Sequence, residues 1–344
     1  MDVQEKRPTL EQVAEVAGTS RATVSRVINH SPKVSAPVRE TVERAIAQLG
    51  YTPNRAARSL VTRRTNSVGL VVAESEQRVF GEPFFADLVR GVSTALDGTD
   101  VQLVLLLNRS DQDRSRVQEF LASHVDGVLL VSSRTEDPLI EQLATGSIPA
   151  VLAGRPLHTA QLPYVDVDNV GGARQAVGHL AELGCTRIAT VTGPQDMVAG
   201  VDRLAGYRQG LEAAGLPFDD ELVFEGDFGG DSGEQGAAQL LDRHGDVDAI
   251  FAASDLMAIG TMQELKRRGR RVPDDVAVVG FDDSVIATTT QPGLSSVHQA
   301  VGELGRQMIE RLLELMGGST PVPNATILPT HLVVRESSRG VAEG

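Results

Sequence analysis

Residues 9–29 read TLEQVAEVAGTSRATVSRVIN, and this stretch predicts two short helices joined by a tight turn. Thr9 followed three residues later by Gln12 is a capping-box signature, so the first helix is expected to begin after Thr9. Gly18 is expected to end it, because glycine accepts the left-handed backbone conformation that a tight exit requires. Ser20 can cap the second helix. Two helices joined in this way form the helix-turn-helix motif.

A third helix is predicted after Ser35, with apolar residues at core spacing as far as Gly50. We predict that the second helix lies in the major groove of DNA, with its N-terminal side chains at base edges. Arginine binds guanine O6 and N7 bidentately, whereas short polar side chains suit phosphates. An ordinary helical hairpin with solvated arginines is the alternative. The predicted contacts are Thr9, Ser20, Arg21, Ala22, Thr23, Ser25, Arg26, Asn29 and Tyr51.

The charge of the chain is unevenly distributed. The whole chain of 344 residues has a formal net charge of −14, yet residues 1–64 hold eleven basic and six acidic residues, a balance of +5. The remaining residues have a balance of −19. A basic end on an acidic body fits a head that binds a polyanion. A solvated charged tail is the alternative, but such a tail would lack the helical apolar periodicity seen here.

Residues 53–62, PNRAARSLVT, predict a short hinge helix. A helix of about two turns is marginally stable alone in water, so it is expected to order only when docked. Leu60 has little core to join, and an apolar side chain inserted between base steps of the minor groove can kink DNA. A linker with an incidental leucine is the alternative. The predicted contacts here are Asn54, Arg55, Ala57, Arg58 and Leu60.

From Asn66 onward, apolar runs alternate with amphipathic segments. The runs predicted as buried strands are residues 68–72, 101–107, 127–131, 150–152, 188–191, 249–253 and 276–280. Such alternation favours parallel sheets that are covered by helices on both faces. So many strands would make an overlong single sheet. Two α/β subdomains with a ligand cleft between them therefore fit better.

Several classes of protein are disfavoured. The single cysteine, Cys185, excludes an internal disulfide framework. The first thirty residues lack the apolar core of a signal peptide, and no later stretch has the roughly 18 apolar residues of a membrane span, so we expect a cytoplasmic protein. The sequence lacks a glycine–lysine phosphate loop, an HExxH motif, a Cys-x-x-Cys motif and a G-x-S-x-G nucleophile elbow. We therefore expect no enzyme, catalytic residue, metal or cofactor, and a secreted sugar-binding protein is the remaining rival.

The whole sequence resembles the LacI/GalR family of transcriptional regulators. TLEQVAEVAGTSRATVSRVIN and LGYTPNRAARSL match its headpiece and hinge, and VGLVV, HVDGVLLVS, AASDLMAIG and VPDDVAVVGFDD continue the match in order and spacing. The resemblance implies a periplasmic-binding-protein-like core and gives Leu60 the role of a minor-groove wedge. The implied parts are a headpiece (1–52), a hinge (53–65), an N-terminal subdomain (66–165 plus 294–321), a C-terminal subdomain (166–293 plus 322–338) and a tail (339–344).

The resemblance also implies effector contacts at strand ends of the core. They fall on Phe85, Arg155, Ala199, Arg203, Phe228, Ser254, Asp255 and Asp282. A carboxylate accepts bonds from sugar hydroxyls, arginine donates several, and an aromatic face packs on sugar C–H groups. The alternatives are core packing for the phenylalanines, a capping role for Asp282 and a structural ion pair for Arg203. Many relatives have Asn at the position of Ser254 and an Asp-Arg pair at Gly154-Arg155, so the polar pattern differs from theirs.

The segments AGRPL, TGPQDMVAGVDRLAGY, GDFGGDSG and FAASDLM resemble a cellobiose-responsive repressor subgroup. This implies a repressor of sugar-utilisation genes that a β-glucoside such as cellobiose releases from a palindromic operator. A corepressor role for the sugar is the alternative. Tetramer-forming members add a leucine-rich C-terminal helix, whereas this chain ends RESSRGVAEG. A homodimer is therefore expected.

Overall fold

The computed structural model describes residues 8–28, 31–51, 64–135, 137–157, 161–319 and 324–339. The chain divides into two compact units, residues 1–65 and residues 66–344. These units correspond to the predicted DNA-binding end and the predicted α/β body. The predicted hinge contacts Asn54, Arg55, Ala57, Arg58 and Leu60, together with Asn29, lie outside the described residues.

The described residues of the first unit form three helices, which are α1 (Leu10–Val16), α2 (Arg21–Ile28) and α3 (Ala36–Leu49). The predicted capping box is confirmed at the start of α1. Thr9 N–H donates to Gln12 Oε1 at 2.8 Å, and Gln12 N–H donates to Thr9 Oγ1 at 3.3 Å. Helix α3 ends at Gly50, whose φ of 60° lies in the left-handed region that favours glycine.

One apolar cluster holds the three helices together. Its buried members are Val13, Ala14, Val24, Val27, Val42, Ala45 and Tyr51. They lie on one face of each helix, as the 3.6-residue period predicts. Tyr51 was predicted as a DNA contact, but its side chain is only 8% exposed and packs in this core. The ring therefore closes the cluster after α3 ends, and a contact of Tyr51 with DNA stays a prediction.

The first sheet of the body is entirely parallel. Its strands are β1 (Ser67–Val72), β2 (Gln102–Leu107), β3 (Gly127–Val131), β4 (Ala150–Ala153), β5 (Tyr164–Val167) and β11 (Ala325–Leu328). They are ordered β11-β5-β4-β3-β1-β2. Its helices are α4 (Glu76–Gly81), α5 (Pro83–Leu96), α6 (Asp111–His124), α7 (Pro138–Thr145) and α12 (Val301–Met316). Helices α5 and α12 pack on one face, and α6 and α7 on the other.

The second sheet repeats this plan with one antiparallel edge. Its strands are β6 (Ile188–Thr192), β7 (Val223–Glu225), β8 (Ala249–Ala252), β9 (Ala277–Asp282), β10 (Ser295–Gln299) and β12 (Thr330–Val333). They are ordered β12-β10-β9-β8-β6-β7, with β12 antiparallel to β10. Its helices are α8 (Asn169–Glu182), α9 (Val198–Ala213), α10 (Gly230–Arg243) and α11 (Asp255–Arg267). Helices α8 and α9 cover one face, and α10 and α11 the other.

The chain crosses between the two subdomains three times, a few residues later than predicted. Strand β5 keeps residues 164–167 in the first subdomain. Residues 295–299 were placed in the first subdomain, but β10 pairs with β9 and β12 in the second sheet. Residues 325–328 were placed in the second, but β11 pairs with β5 in the first. The exchange points therefore follow Val167, Gln299 and Leu328.

Candidate functional site

A cleft lies between the subdomains, where the carboxyl ends of the strands of both sheets face each other. It encloses about 620 Å³ of space between protein atoms, part of which is open to solvent. Seven of the eight predicted effector contacts line it, which are Phe85, Ala199, Arg203, Phe228, Ser254, Asp255 and Asp282. Strand ends of open parallel sheets are the usual position of ligand sites.

The centre of the second-subdomain wall is a buried polar set formed by Arg203, Asp282 and Gln299. Arg203 Nε donates to Asn169 Oδ1 at 2.8 Å and Nη1 donates to the carbonyl of Ala253 at 2.6 Å. Nη1 also lies 3.6 Å from Asp282 Oδ1, which accepts from Gln299 Nε2 at 2.5 Å. Within the described part of the chain, Arg203 Nη2 has no hydrogen-bond acceptor, so it can donate to a ligand.

Asp282 is held in an environment that opposes its charge. Burial raises the pKa of its carboxyl, Asp255 adds to that rise, and Arg203 acts against it. Its backbone φ is 119°, a value that L-residues rarely adopt. Phe228 (φ 72°) and Ser132 (φ 57°) also line the cleft with positive φ. Such strain is typical of ligand sites, where the surrounding fold holds side chains in place.

Ser254 and Asp255 line the cleft, but the protein itself occupies their hydrogen-bonding atoms. Ser254 caps α11, since its Oγ accepts from Met257 N–H at 3.1 Å and donates to the carbonyl of Phe228 at 2.8 Å. Asp255 Oδ2 accepts from the N–H and hydroxyl of Ser284, and Oδ1 from the hydroxyl of Ser296. Both residues therefore hold the loops around the cleft in place. This structural role was not predicted from the sequence.

Aromatic side chains supply flat apolar surfaces on both walls. Phe228 lies against the backbone of Gly193, where an added Cβ would fall 2.1 Å from the ring. On the first-subdomain wall, Phe84 packs edge to face on Phe85 with centroids 5.2 Å apart. Phe85 is only 3% exposed and belongs to the hydrophobic core, so Phe84 supplies the accessible surface on this wall. Arg203 lies between Phe281 and Phe228, 3.7 and 5.6 Å from their ring centroids. A ring-shaped ligand with apolar faces and polar edges would fit between these walls.

Arg155 is the predicted contact that the cleft does not include. Its Nε donates to Asp202 Oδ2 at 3.1 Å, its Nη2 pairs with Asp202 Oδ1, and its backbone N–H donates to Asp166 Oδ2 at 3.0 Å. Asp202 lies on α9 of the second subdomain. Arg155 therefore forms an ion pair between the subdomains, and its contact with an effector stays a prediction.

A second connection closes the rim of the cleft. Arg134 Nη1, from the loop after β3, lies 2.7 and 2.6 Å from the two carboxylate oxygens of Asp196 in the second subdomain. The backbone N–H and hydroxyl of Thr135 both donate to the carbonyl of Asp196 at 2.8 Å. These bonds can form only while the subdomains are close together, so they stabilise the closed cleft.

We expect Arg134→Ala to weaken binding of the sugar effector that the resemblance implies by up to about fivefold, because a half-exposed ion pair contributes only about 0.2–1 kcal/mol to closure. Titration calorimetry of the variant with cellobiose, the sugar that the resemblance implies, checks this. The matched control is Arg90→Ala, which removes an equally charged side chain that pairs with Asp87 on the same helix. An unchanged affinity in Arg134→Ala would show that this rim does not contribute to closure.

A polar set on the first-subdomain wall and one residue on the second line the cleft without having been predicted from the sequence. Glu74, Arg78 and Glu82 follow β1 at spacings of four residues, and all three line the cleft. Their position just after the VGLVV strand and their helical spacing were signals that could have identified them. Gln299 was missed because its strand, SSVHQ, is too polar to be recognised as buried.

On the head, the side chains of α2 divide into two faces. Val24 and Val27 are buried, whereas Arg21, Ala22 and Arg26 are exposed. Arg21 Nη1 pairs with Glu11 Oε1 at 3.1 Å, and both side chains are largely exposed. The exposed face of α2 is therefore free of the core and carries two guanidinium groups and small neighbours.

Two polar positions beside this face hold the start of α2. Ser20 Oγ accepts from Thr23 N–H at 3.1 Å and lies 2.9 Å from Thr23 Oγ1. Thr9 and Ser20 are exposed, whereas Thr23 and Ser25 are partly buried. This geometry is compatible with groove binding, but the DNA contacts remain a prediction.

The described part of the chain shows neither a metal-binding cluster nor a membrane-spanning helix. No group of three or more His, Cys, Asp or Glu side chains there could hold a metal ion. No helix among the described residues is long and apolar enough to cross a membrane.

Comparison with family models gives two matches. The model for bacterial regulatory proteins of the lacI family matches residues 9–54. A model for a periplasmic binding protein-like domain matches residues 177–338. These two regions are the helical head and much of the α/β body.

Characterised relatives match over nearly the whole chain. The HTH-type transcriptional regulator CelR of Thermobifida fusca is 53% identical over 335 residues, which cover 96% of this chain and 98% of that protein. Catabolite control protein A of Priestia megaterium is 32% identical over 336 residues, or 96% of this chain and 99% of that protein.

Solved structures of similar proteins also match nearly the whole chain. A CelR–cellobiose complex is 51% identical, with a TM-score of 0.77, and the match covers 96% of this chain and all of that one. A Lac repressor dimer bound to operator and the anti-inducer ONPF is 30% identical, with a TM-score of 0.85, and the match covers 97% of this chain and 99% of that one. The predicted fold class is confirmed.

Proposed function

Since this chain belongs to the LacI family of bacterial regulatory proteins, we propose that it represses sugar-utilisation genes and is released from its operator when cellobiose or a related β-glucoside binds the cleft. It is a transcriptional regulator rather than an enzyme, as its relatives are. One observation carries the proposal: a helix-turn-helix head is joined to a cleft whose walls combine Arg203, Asp282 and Gln299 with phenylalanine faces. We place its action in the cytoplasm, where chromosomal DNA is accessible.

The proposed DNA contacts lie on the exposed face of α2, with the head inserted in the major groove of each half-site. The balance of +5 in residues 1–64 attracts phosphates, while the acidic body disfavours other contacts with DNA. Arg21 is the proposed base-reading residue, because it is the first residue of α2 and is exposed.

We expect Arg21→Ala to weaken operator binding by about 1–3 kcal/mol, or roughly 5- to 150-fold, through loss of a bidentate contact to guanine. Gel shifts with operator and with random DNA measure the effect, which should be much larger on the operator. Arg44→Ala on α3 is the matched control, since it removes the same charge from an exposed position. Equal losses on both DNAs would assign Arg21 to phosphate contact instead.

Support for the sugar comes from the chemistry of the cleft and from a relative of known structure. A carboxylate, a guanidinium and an amide on one wall can bind several hydroxyls, and the phenylalanine faces can pack on C–H groups. The structure of the CelR–cellobiose complex shows cellobiose bound to a protein that is 51% identical. We propose the same class of ligand here.

The proposed release requires unequal affinity of the sugar for the two states of the protein. A hundredfold loss of operator affinity needs about 2.7 kcal/mol of coupling, within the usual range of about 1–3 kcal/mol. We propose that the sugar stabilises the closed cleft, and that closure moves the first subdomains and separates the hinge segments. Removal of the proposed Leu60 wedge from the minor groove would then weaken the complex.

A homodimer is proposed because a two-fold protein matches a palindromic operator and doubles the interface of one small head. Strand β2 (QLVLLL) forms the outer edge of the first sheet, and Leu105 on it is 36% exposed. An apolar edge strand of this kind is usually covered by a partner. The relative bound to operator is a dimer.

The decisive experiment is a gel shift of the full chain against genomic fragments upstream of sugar-utilisation genes, with and without cellobiose. We expect a specific complex that cellobiose dissolves and that weakens steeply as salt rises. Stronger binding with the sugar would make it a corepressor. Equal binding to specific and random fragments would contradict the proposed function.

A further inference from the structure

The first-subdomain wall of the cleft carries its own polar set, formed by Glu74, Arg78 and Glu82. Arg78 Nη1 donates to Glu74 Oε2 at 3.1 Å, and Arg78 Nε donates to Glu82 Oε1 at 2.6 Å. The guanidinium thus lies between two carboxylates that are four residues before and after it. Two ion pairs therefore hold the Arg78 guanidinium in place.

Glu74 in this set has an unsatisfied oxygen. Its side chain is 6% exposed, and among the described residues Oε1 has no hydrogen-bond partner. Burial raises the pKa of both Glu74 and Glu82, and Arg78 opposes that rise. A buried carboxylate oxygen without a donor is rare in folded proteins and calls for a missing partner. Glu74 lines the cleft, so the hydroxyl of a bound ligand is the available donor.

The two walls offer two separate places for a ring. Phe84 and Phe85 stand with the Glu74 set on the first-subdomain wall, and Phe228 stands with Arg203 and its partners on the second. A hexose ring has hydroxyls at its edge and C–H groups on its faces, so one polar set and one aromatic surface match one ring. The cleft of about 620 Å³ has two such combinations.

We propose that Glu74, Arg78 and Glu82 form the subsite for the second ring of a disaccharide, with Glu74 Oε1 accepting a hydrogen bond from one of its hydroxyls. The inference rests on the proposed function, because it assumes a sugar in the cleft. The subsite makes the protein selective for a disaccharide. A single hexose binds at the wall that contains Arg203 and leaves Glu74 Oε1 without a hydrogen-bond donor. It therefore connects the two subdomains through fewer contacts than a disaccharide does.

The test is Glu74→Gln, measured by titration calorimetry with cellobiose and with glucose. Glutamine keeps the shape and can still accept from Arg78, but it places an NH₂ donor where the free acceptor was. We expect cellobiose affinity to fall at least tenfold, while the weak or undetectable glucose affinity stays as in the unaltered protein. Glu76→Gln is the matched control, since Glu76 is an exposed carboxylate on the same segment. It should leave both affinities unchanged.

Operator binding and the midpoint temperature of thermal unfolding are measured for each variant, and both establish that the variant is folded. If Glu74→Gln does not fold, Phe84→Ala removes the aromatic surface without touching the ion pairs, and the same selective loss is expected. Cellobiose affinity within twofold of the unaltered protein, or equal losses for glucose and cellobiose, overturns the subsite alone. An unaltered protein that binds operator but no cellobiose contradicts the proposed effector and overturns the subsite with it.

Discussion

Asp282→Asn should leave operator binding intact and abolish its reversal by sugar. Hydrogen bonds to a charged group contribute about 1.5–3 kcal/mol each, and Asp282 is proposed to accept from ligand hydroxyls through a carboxylate. Donation from ligand hydroxyls favours the charged form and so acts against the effect of burial. Loss of the carboxylate should lower sugar affinity by about 2–4 kcal/mol, or roughly 30- to 1,000-fold. Asparagine is the right replacement because, with aspartate, it best tolerates the positive φ of this position.

Two assays of Asp282→Asn separate binding from release. Titration calorimetry gives the sugar affinity, and gel shifts with increasing cellobiose give the release. Asp274→Asn is the control, since it makes the same charge change at an exposed site, where the carboxylate pairs with Arg271. A variant of Asp282 that still releases operator at the same cellobiose concentration would show that the carboxylate does not bind the ligand.

Gly91→Ala should destabilise the body by about 1–3 kcal/mol, because it overpacks two helices in contact through their backbones. A Cβ at Gly91 on α5 would lie 2.0 Å from the carbonyl oxygen of Gly302 on α12. Backbone atoms cannot rotate away as a side chain can, so the helices must separate. The same contact continues one turn on, where a Cβ at Gly305 would lie 2.4 Å from the carbonyl of Leu88.

Gly178→Ala provides the matched control for this prediction. Gly178 lies on α8, and an added Cβ there would meet no atom within 4 Å. Replacing an unrestrained helical glycine by alanine should stabilise the protein by up to about 1 kcal/mol. Thermal unfolding of the two variants should therefore shift in opposite directions. Equal midpoints would mean that α5 and α12 can move apart at little cost.

The central strands and the head were predictable because each carries a local apolar pattern. The runs at β1, β3, β8 and β9 are buried on both faces, so almost every residue in them is apolar and visible as such. Five strands were missed, which are β5, β7, β10, β11 and β12. Strand β10, SSVHQ, is buried through its partners, since Ser295 bonds to Ser338 and Ser296 to Asp255.

The missed strands explain the shifted subdomain boundaries. Strand pairing is decided by partners distant in sequence, and residues 295–299 pair with residues 277–282 and 330–333. Nothing within SSVHQ indicates which sheet it will join. The resemblance placed the crossings to within a few residues, and only the hydrogen-bond register moved them to Val167, Gln299 and Leu328.

Local patterns in the sequence were thus enough for the helical head, the α/β body and the charge division, because helical period, capping and continuous apolar runs act over a few residues. The family was implied by the resemblance of whole segments, in their order and spacing. The fold alone decided which polar groups meet. It brought Glu74 and Asp282 to opposite walls of one cleft, engaged Arg155 with Asp202, and satisfied Asp255 internally. Those outcomes depend on contacts between distant segments, whose geometry is set only when both sheets have formed.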